Sequence, residues 1–275
     1  GSGDDEINIG TGAANYDVDG AGDSNGDTLN VTLDGDMTDT NVENFETINY
    51  TVSGSNDVTV TTASTKGIND NDAETVTVSG DNSDGSFTIG GTTAIGAVAG
   101  GEATGLTDFN ASGLAGTLTA TFGDGVVDQN LAIQGGSASD DTVRATYDIT
   151  VDVTPDISGV ETLNVVADRG NDGGETLGVD AQNISGVDTI GLETGGVAGS
   201  TVNLTNVEAG TTIGAGTSSG SFGGASTISV QLNNDDADDD SLTVNAVNTL
   251  DASNAVSLDT SSIENVTIDI ATGLG

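Results

Sequence analysis

The sequence predicts an all-β protein built as a parallel β-solenoid, in which successive coils add strands to parallel sheets. Three observations support this prediction. Apolar residues alternate with Thr, Ser, Asn and Asp at period two along the 275 residues, a pattern typical of half-buried strands. One short phrase recurs at intervals that suit a stacked repeat. Asp outnumbers Glu by 34 to ten and 42 residues are Gly, a composition that favours turns over helices.

The predicted strands are short, rich in Val, Ile and Leu, and separated by turn residues. No segment has a convincing helical period. The alternating segments are residues 29–33, 58–60, 76–78, 87–89, 118–122, 131–133, 149–153, 163–165, 190–192, 202–204, 228–232, 242–244, 256–258 and 266–270.

The repeated phrase is an apolar residue, an acid, Thr or Asn, and then a strand, and it occurs at 41–50, 156–165, 183–192 and 261–270. Acidic anchors at 46, 74, 161, 188, 208 and 264 give nearest separations of 28, 27 and 20 residues, about the length of one coil. A β-sandwich is the alternative, because strands at this spacing also suit it. We expect one elongated, repeat-built β domain over 1–275, with breaks near 90–105 and 195–224, belonging to a longer chain.

The charge excludes several classes of function. The net charge is −41, and the chain has neither His nor Cys. Zinc sites with Cys or His ligands, His-based triads and disulfides are therefore ruled out. Lys66, Arg144 and Arg169 are the only cations, too few to hold a nucleic-acid backbone. No run approaches the roughly 18 apolar residues that a membrane span requires, so we expect no membrane insertion. We expect no enzymatic activity either.

Acidic clusters directly before strands are the most informative feature of the sequence. They combine Asp and Asn with small residues, and Ca²⁺ prefers six to eight oxygen ligands from carboxylates, amides and backbone carbonyls. The sequence therefore predicts several Ca²⁺ ions per chain. The alternative is that these acids are ordinary turn residues on an acidic surface adapted to high salt. The candidate ligands are Asp4, Asp5, Asp23, Asn25, Asp27, Asn69, Asp70, Asp72, Glu74, Asp140, Asp141, Asn171, Asp172, Asp235, Asp236, Asp238, Asp239 and Asp240.

Some of these segments resemble a known family. Residues 1–7 resemble the second half of the calcium-binding nonapeptide of RTX proteins, G-G-x-G-x-D-x-U-x, with Asp5 and Ile7 at its acidic and apolar positions. Residues 135–140 and 22–29 are looser copies. The repeated phrase, with segments 109–114 and 250–253, resembles the lattice-forming region of RTX-type bacterial surface-layer proteins. The resemblance implies a secreted, self-assembling, calcium-dependent coat protein built as a β-solenoid.

The expected function is structural. We expect a protein of a bacterial or archaeal cell surface that self-assembles in a Ca²⁺-dependent way into an S-layer or a related sheath or filament. Its copies would meet through calcium-bridged contacts, and a cell-surface glycan would be contacted through another domain. A calcium-stiffened repeat module of a large secreted adhesin is the alternative. A β-helical polysaccharide lyase or hydrolase is a third hypothesis.

Overall fold

The computed structural model describes most of the chain. The described residues are 4–10, 15–20, 26–62, 73–81, 83–90, 94–96, 105–127, 131–148, 152–168, 176–194, 199–216, 226–233, 240–246, 257–260 and 263–270. Contacts divide the chain into two compact units. The first comprises Gly1–Arg144 with Asp156–Val160, and the second comprises Ala145–Pro155 with Glu161–Gly275.

Strands dominate the described residues, as predicted. The helical segments there are a one-turn α-helix at Asp124–Val127 and a 3₁₀ turn at Ala181–Asn183. The strands are β1 (Glu6–Ile9), β2 (Asn15–Asp19), β3 (Thr28–Leu33), β4 (Met37–Glu43), β5 (Thr47–Val52), β6 (Val58–Thr62), β7 (Thr75–Gly80), β8 (Ser86–Ile89), β9 (Asp108–Leu114), β10 (Thr117–Phe122), β11 (Ala132–Gln134), β12 (Thr142–Asp148), β13 (Asp152–Val153), β14 (Asp156–Ser158), β15 (Thr162–Asp168), β16 (Thr176–Asp180), β17 (Ile184–Ser185), β18 (Thr189–Glu193), β19 (Thr201–Val207), β20 (Thr212–Ala215), β21 (Thr227–Leu232), β22 (Ser241–Ala246), β23 (Ser257–Asp259) and β24 (Asn265–Ile270).

In the first unit, successive strands enter two parallel sheets in turn. One sheet has the order β1-β3-β5-β7-β9-β11-β14, and the other begins β2-β4-β6-β8-β10. Neighbours in a sheet are therefore one coil apart along the chain. In-register partners on neighbouring strands of a sheet are 19 to 34 positions apart along the chain, which gives the range of coil lengths in this unit.

The second unit repeats the arrangement. One of its sheets contains β15-β18-β20-β22-β24, and the other contains β13-β16-β19-β21-β23. The pairing of β15 with β18, like that of β16 with β19, is parallel and in register over five residue pairs. The chain is thus a parallel β-solenoid, as predicted. Parallel pairing excludes the antiparallel β-sandwich alternative.

The core consists of ladders of in-register apolar side chains. In the first unit one ladder runs through seven coils, and from its second rung onward its members are buried. Edge-on contact between Phe109 and Phe122, whose ring centroids lie 5.1 Å apart, ties β9 to β10 across the core. This ladder consists of Ile7, Leu29, Ile48, Val76, Phe109, Ile133 and Ile157.

The polar residues between the core positions form ladders on the outer face. Asn30 Nδ2 donates to Asn8 Oδ1 at 3.1 Å, and Asn49 Nδ2 donates to Asn30 Oδ1 at 2.9 Å. These amides bond coil to coil, so the outer face also holds the stack together.

Two finer expectations can be compared with the coil lengths. Thr162 pairs with Thr189, which agrees with the anchor separation of 27 residues. The separation of 20 residues, from the anchor at 188 to the anchor at 208, was wrong as a coil length. Thr189, which follows the first of these anchors, pairs with Thr212 and not with the residue after Glu208. Most of the expected break near 90–105 lies outside the described residues, whereas the described part of 195–224 contains β19 and β20, which pair with the neighbouring coils.

One ladder of the second unit changes its exposure sharply. Leu242 and Val244 are 1% and 5% exposed. Their in-register partners on β24, Val266 and Ile268, are 37% and 58% exposed.

Among the described residues, no helix combines the length and the hydropathy needed to cross a bilayer.

Candidate functional site

Acidic turns of the first unit lie one above another, each directly before a strand. The backbone carbonyl of Asp5 accepts the N–H of Thr28 at 2.8 Å, and that of Asp27 accepts the N–H of Thr47 at 3.1 Å. The carbonyls of Glu46 and Glu74 accept N–H groups of the next coil in the same way. The fold therefore brings three of the predicted acids, Asp5, Asp27 and Glu74, onto one edge of the β1-β3-β5-β7 sheet.

Asp27 is the most unusual of these acids because its carboxylate is fully buried. Its Oδ1 accepts the backbone N–H of Asp5 at 2.7 Å. Its own N–H donates to Glu46 Oε2 at 2.5 Å. Its Oδ2 has no hydrogen-bond partner. A buried carboxylate oxygen without a partner is costly, so this atom is a well-motivated point of attachment for a cation.

The flanks of Asp27 add further acids and little side-chain bulk. Asp4 is exposed, and Asp5 and Glu46 are half-buried. Gly20 lies against the carboxylate, and a Cβ at that position would come within 3.0 Å of Asp27 Oδ2. Glycine at position 20 therefore leaves space for the Asn44 carbonyl group, which a Cβ would overlap, as well as for the buried carboxylate.

The turn that contains Asp140 and Asp141 uses its acids differently. Asp141 is fully buried, and its Oδ1 accepts the N–H of Leu118 at 2.8 Å while its Oδ2 accepts that of Gly136 at 2.7 Å. Asp140 is exposed, and its Oδ1 accepts from Thr117 Oγ1 at 2.8 Å. Both carboxylates thus bind groups of a neighbouring coil, and Asp141 also closes its own turn.

The remaining predicted ligands fall into two groups. Asp240 is buried directly before β22, and its carbonyl accepts the N–H of Asn265 at 3.0 Å. The others lie outside the described residues, and they are Asp23, Asn25, Asn69, Asp70, Asp72, Asn171, Asp172, Asp235, Asp236, Asp238 and Asp239. In the described part of the chain, no three acidic side chains come close enough together to form a metal-binding group.

The sequence reasoning missed other acids that connect coils. Asp36 Oδ1 accepts the N–H of Thr59 at 2.9 Å. Asp57 Oδ1 accepts from Ser86, through its N–H at 3.0 Å and its Oγ at 2.9 Å. Each acid directly precedes a strand, which is a signal readable in the sequence. One role of the turn acids is therefore to accept backbone N–H groups from the adjacent coil.

The cations do little to offset this charge. Arg144 is half-buried on β12, and Lys66 and Arg169 lie outside the described residues.

Comparison of this chain with protein-family models, with curated proteins and with solved structures gave no match.

Proposed function

We propose that this chain is a structural protein of a bacterial or archaeal cell surface. It self-assembles into an ordered coat, an S-layer or a related sheath or filament, when turn acids bind Ca²⁺. It has no enzymatic activity. Copies meet through calcium-bridged contacts, and Ca²⁺ serves as a folding ligand as well.

The observation that carries the proposal is the buried carboxylate of Asp27. Its Oδ2 lacks a partner in a chain whose net charge is −41. A cation at this oxygen would compensate a buried charge. Metal that binds only the folded state adds its binding free energy to folding, about 2.7 kcal/mol at a hundred times the dissociation constant.

The charge also supports cation-dependent assembly. Two carboxylates about 4 Å apart repel by about 1 kcal/mol in water and by several times more near a protein surface. Two copies that present such surfaces to each other repel unless cations lie between them. Ca²⁺ suits this role because it accepts carboxylate oxygens from both copies.

The fold supports a structural role as well. Each coil buries its ladder residues against the adjacent coils, so within each unit every described coil depends on its neighbours. Other turn acids, such as Asp141 and Asp57, bind backbone or hydroxyl groups of adjacent coils. Those contacts serve the stability of the stack.

Negative-stain microscopy of the purified chain tests the assembly. We expect ordered sheets or filaments with Ca²⁺, and neither with Mg²⁺ nor with NaCl at the same ionic strength. Monodisperse rods in Ca²⁺ would instead favour a stalk of a secreted adhesin. Reducing-sugar release from acidic glycans would show a lyase or hydrolase and would contradict the proposal.

A pair of variants tests the site. Asp27→Ala removes the unpartnered oxygen, and Asp34→Ala removes an exposed acid of the same unit. We expect Ca²⁺ to raise the urea midpoint of the wild-type chain and of Asp34→Ala, and to raise that of Asp27→Ala much less. An equal calcium-induced shift in all three proteins would rule out Asp27 as a ligand.

A further inference from the structure

A polar groove of about 370 Å³ lies along β13, β16 and β19 in the second unit. Its side chains come from two neighbouring rows on these strands. Asp152, Gly178 and Asn203 are in register in one row. Asp180 and Thr205 are in register in the next, where Thr154 also lines the groove.

The middle position of the first row is glycine. Asp152 and Asn203 carry side chains on either side of Gly178, which has none. The Oδ1 atom of Asp152 leans into the space that a Cβ of Gly178 would fill. The backbone of Gly178 does not need glycine, because its φ lies outside the positive range. Glycine at this position therefore leaves room for the Asp152 carboxylate at the edge of the groove and is not required by a turn.

The polar groups around the opening include donors as well as acceptors. Asp180 Oδ1 accepts the N–H of Gln182 at 3.1 Å and Nδ2 of Asn206 at 2.8 Å, which fixes that carboxylate. Asn203 and Thr205 are half-buried, and each can donate and accept. No cationic side chain lines the groove, so an anionic ligand would be repelled.

The size of the groove distinguishes between the ligands that remain. At roughly 30 Å³ per molecule of liquid water, its volume corresponds to about a dozen waters, far more than a single bound cation fills. The fixed carboxylate of Asp180, a second carboxylate, an amide and hydroxyls around such a volume match the hydroxyl groups of a sugar ring, which donate and accept. We propose that this groove binds a neutral saccharide. The proposal stands independently of the coat function.

Titration of the ¹⁵N-labelled chain with methyl β-glucoside, followed by NMR, tests it. We expect fast-exchange shift changes centred on the amides of Gly178, Asp180 and Asn203, with a dissociation constant in the millimolar range, because no aromatic ring lines the groove to add stacking. Glucuronate, the anionic probe, should bind at least about tenfold more weakly because of the negative lining.

Variants confine the effect to the groove. Gly178→Val displaces the Asp152 carboxylate and crowds the groove, so it should weaken binding at least about tenfold. Ser229→Val introduces the same side chain on β21, in register with Asn203 but beyond the residues that line the groove, and should bind as the wild type does. Thr205→Val keeps the shape and removes one hydroxyl, so it should weaken binding by about threefold to tenfold.

Three results would overturn the proposal. The first is the absence of localised shift changes with methyl β-glucoside at high-millimolar concentration. The second is a response of the same amides to CaCl₂ and not to the sugar. The third is equal weakening by Ser229→Val and Gly178→Val, with unchanged circular dichroism in both variants.

Discussion

Replacing Asp141 by Asn tests whether a turn acid stabilises the solenoid through the backbone of its neighbour. The carboxylate is fully buried, and each oxygen accepts one backbone N–H, from Leu118 at 2.8 Å and from Gly136 at 2.7 Å. Asparagine keeps one acceptor and turns an NH₂ group towards the other N–H. The variant therefore loses one charge-assisted hydrogen bond and leaves a donor facing a donor.

The magnitude follows from these contacts. A hydrogen bond to a charged group contributes about 1.5–3 kcal/mol, and a buried donor left without a partner costs about 1–3 kcal/mol. The two contributions describe partly the same lost hydrogen bond, so they do not add in full. We therefore expect Asp141→Asn to lower the free energy of unfolding by about 2–4 kcal/mol. Asp140→Asn is the matched control, since Asp140 is exposed in the same turn and Asn can still accept from Thr117. We expect it to cost less than about 1 kcal/mol.

Urea denaturation followed by circular dichroism measures both variants, at saturating Ca²⁺ and again in chelator. If Asp141 acts through the backbone, its larger loss is the same in both conditions. A loss no larger than that of Asp140→Asn would refute the hydrogen-bond argument. A loss confined to the calcium-containing samples would instead identify Asp141 as a metal ligand.

Three further predictions concern the stack of coils. Ile48→Ala should lower the free energy of unfolding by about 2–5 kcal/mol, because Ile48 is a fully buried rung of the core ladder; urea titration measures it, and a loss below about 1 kcal/mol would contradict the ladder. Asn30→Ala should cost about 1 kcal/mol in the same assay, since Asn30 joins three coils through Asn8 and Asn49; no loss would show that the outer ladder contributes nothing. Gly135→Ala should cost about 3 kcal/mol or more, because the new Cβ would overlap the Gly159 carbonyl oxygen, whereas Gly35→Ala meets no atom within 4 Å and should change little; equal thermal melting of the two would contradict the close packing of these coils.

The strands with strictly alternating apolar residues were predictable from the sequence. β3 and β10 alternate between half-buried and buried positions over six residues each, as their Leu, Val and Phe spacing indicates. β2 and β4 were not predicted, because their sequences are dominated by Asn, Asp and Thr. Parallel pairing with adjacent coils stabilises such segments regardless of their own propensity.

The candidate site was predictable only in part. The position of acids directly before strands is visible in the sequence, and it correctly placed Asp5 and Asp27 at the starts of adjacent strands. The direction of each carboxylate was not predictable, because it depends on which backbone N–H the next coil offers some 20 residues away. Asp27 and Asp141 look alike in the sequence, yet one has an oxygen without a hydrogen bond and the other has both oxygens bound.

Reversible removal of calcium tests the central claim most directly. Far-UV circular dichroism and negative-stain microscopy would be recorded on one sample in Ca²⁺, after chelation at low salt, and after Ca²⁺ is restored. We predict that the β signal and the ordered assemblies disappear together and return together. Assemblies and β signal that both survive complete chelation would contradict calcium-dependent folding and assembly.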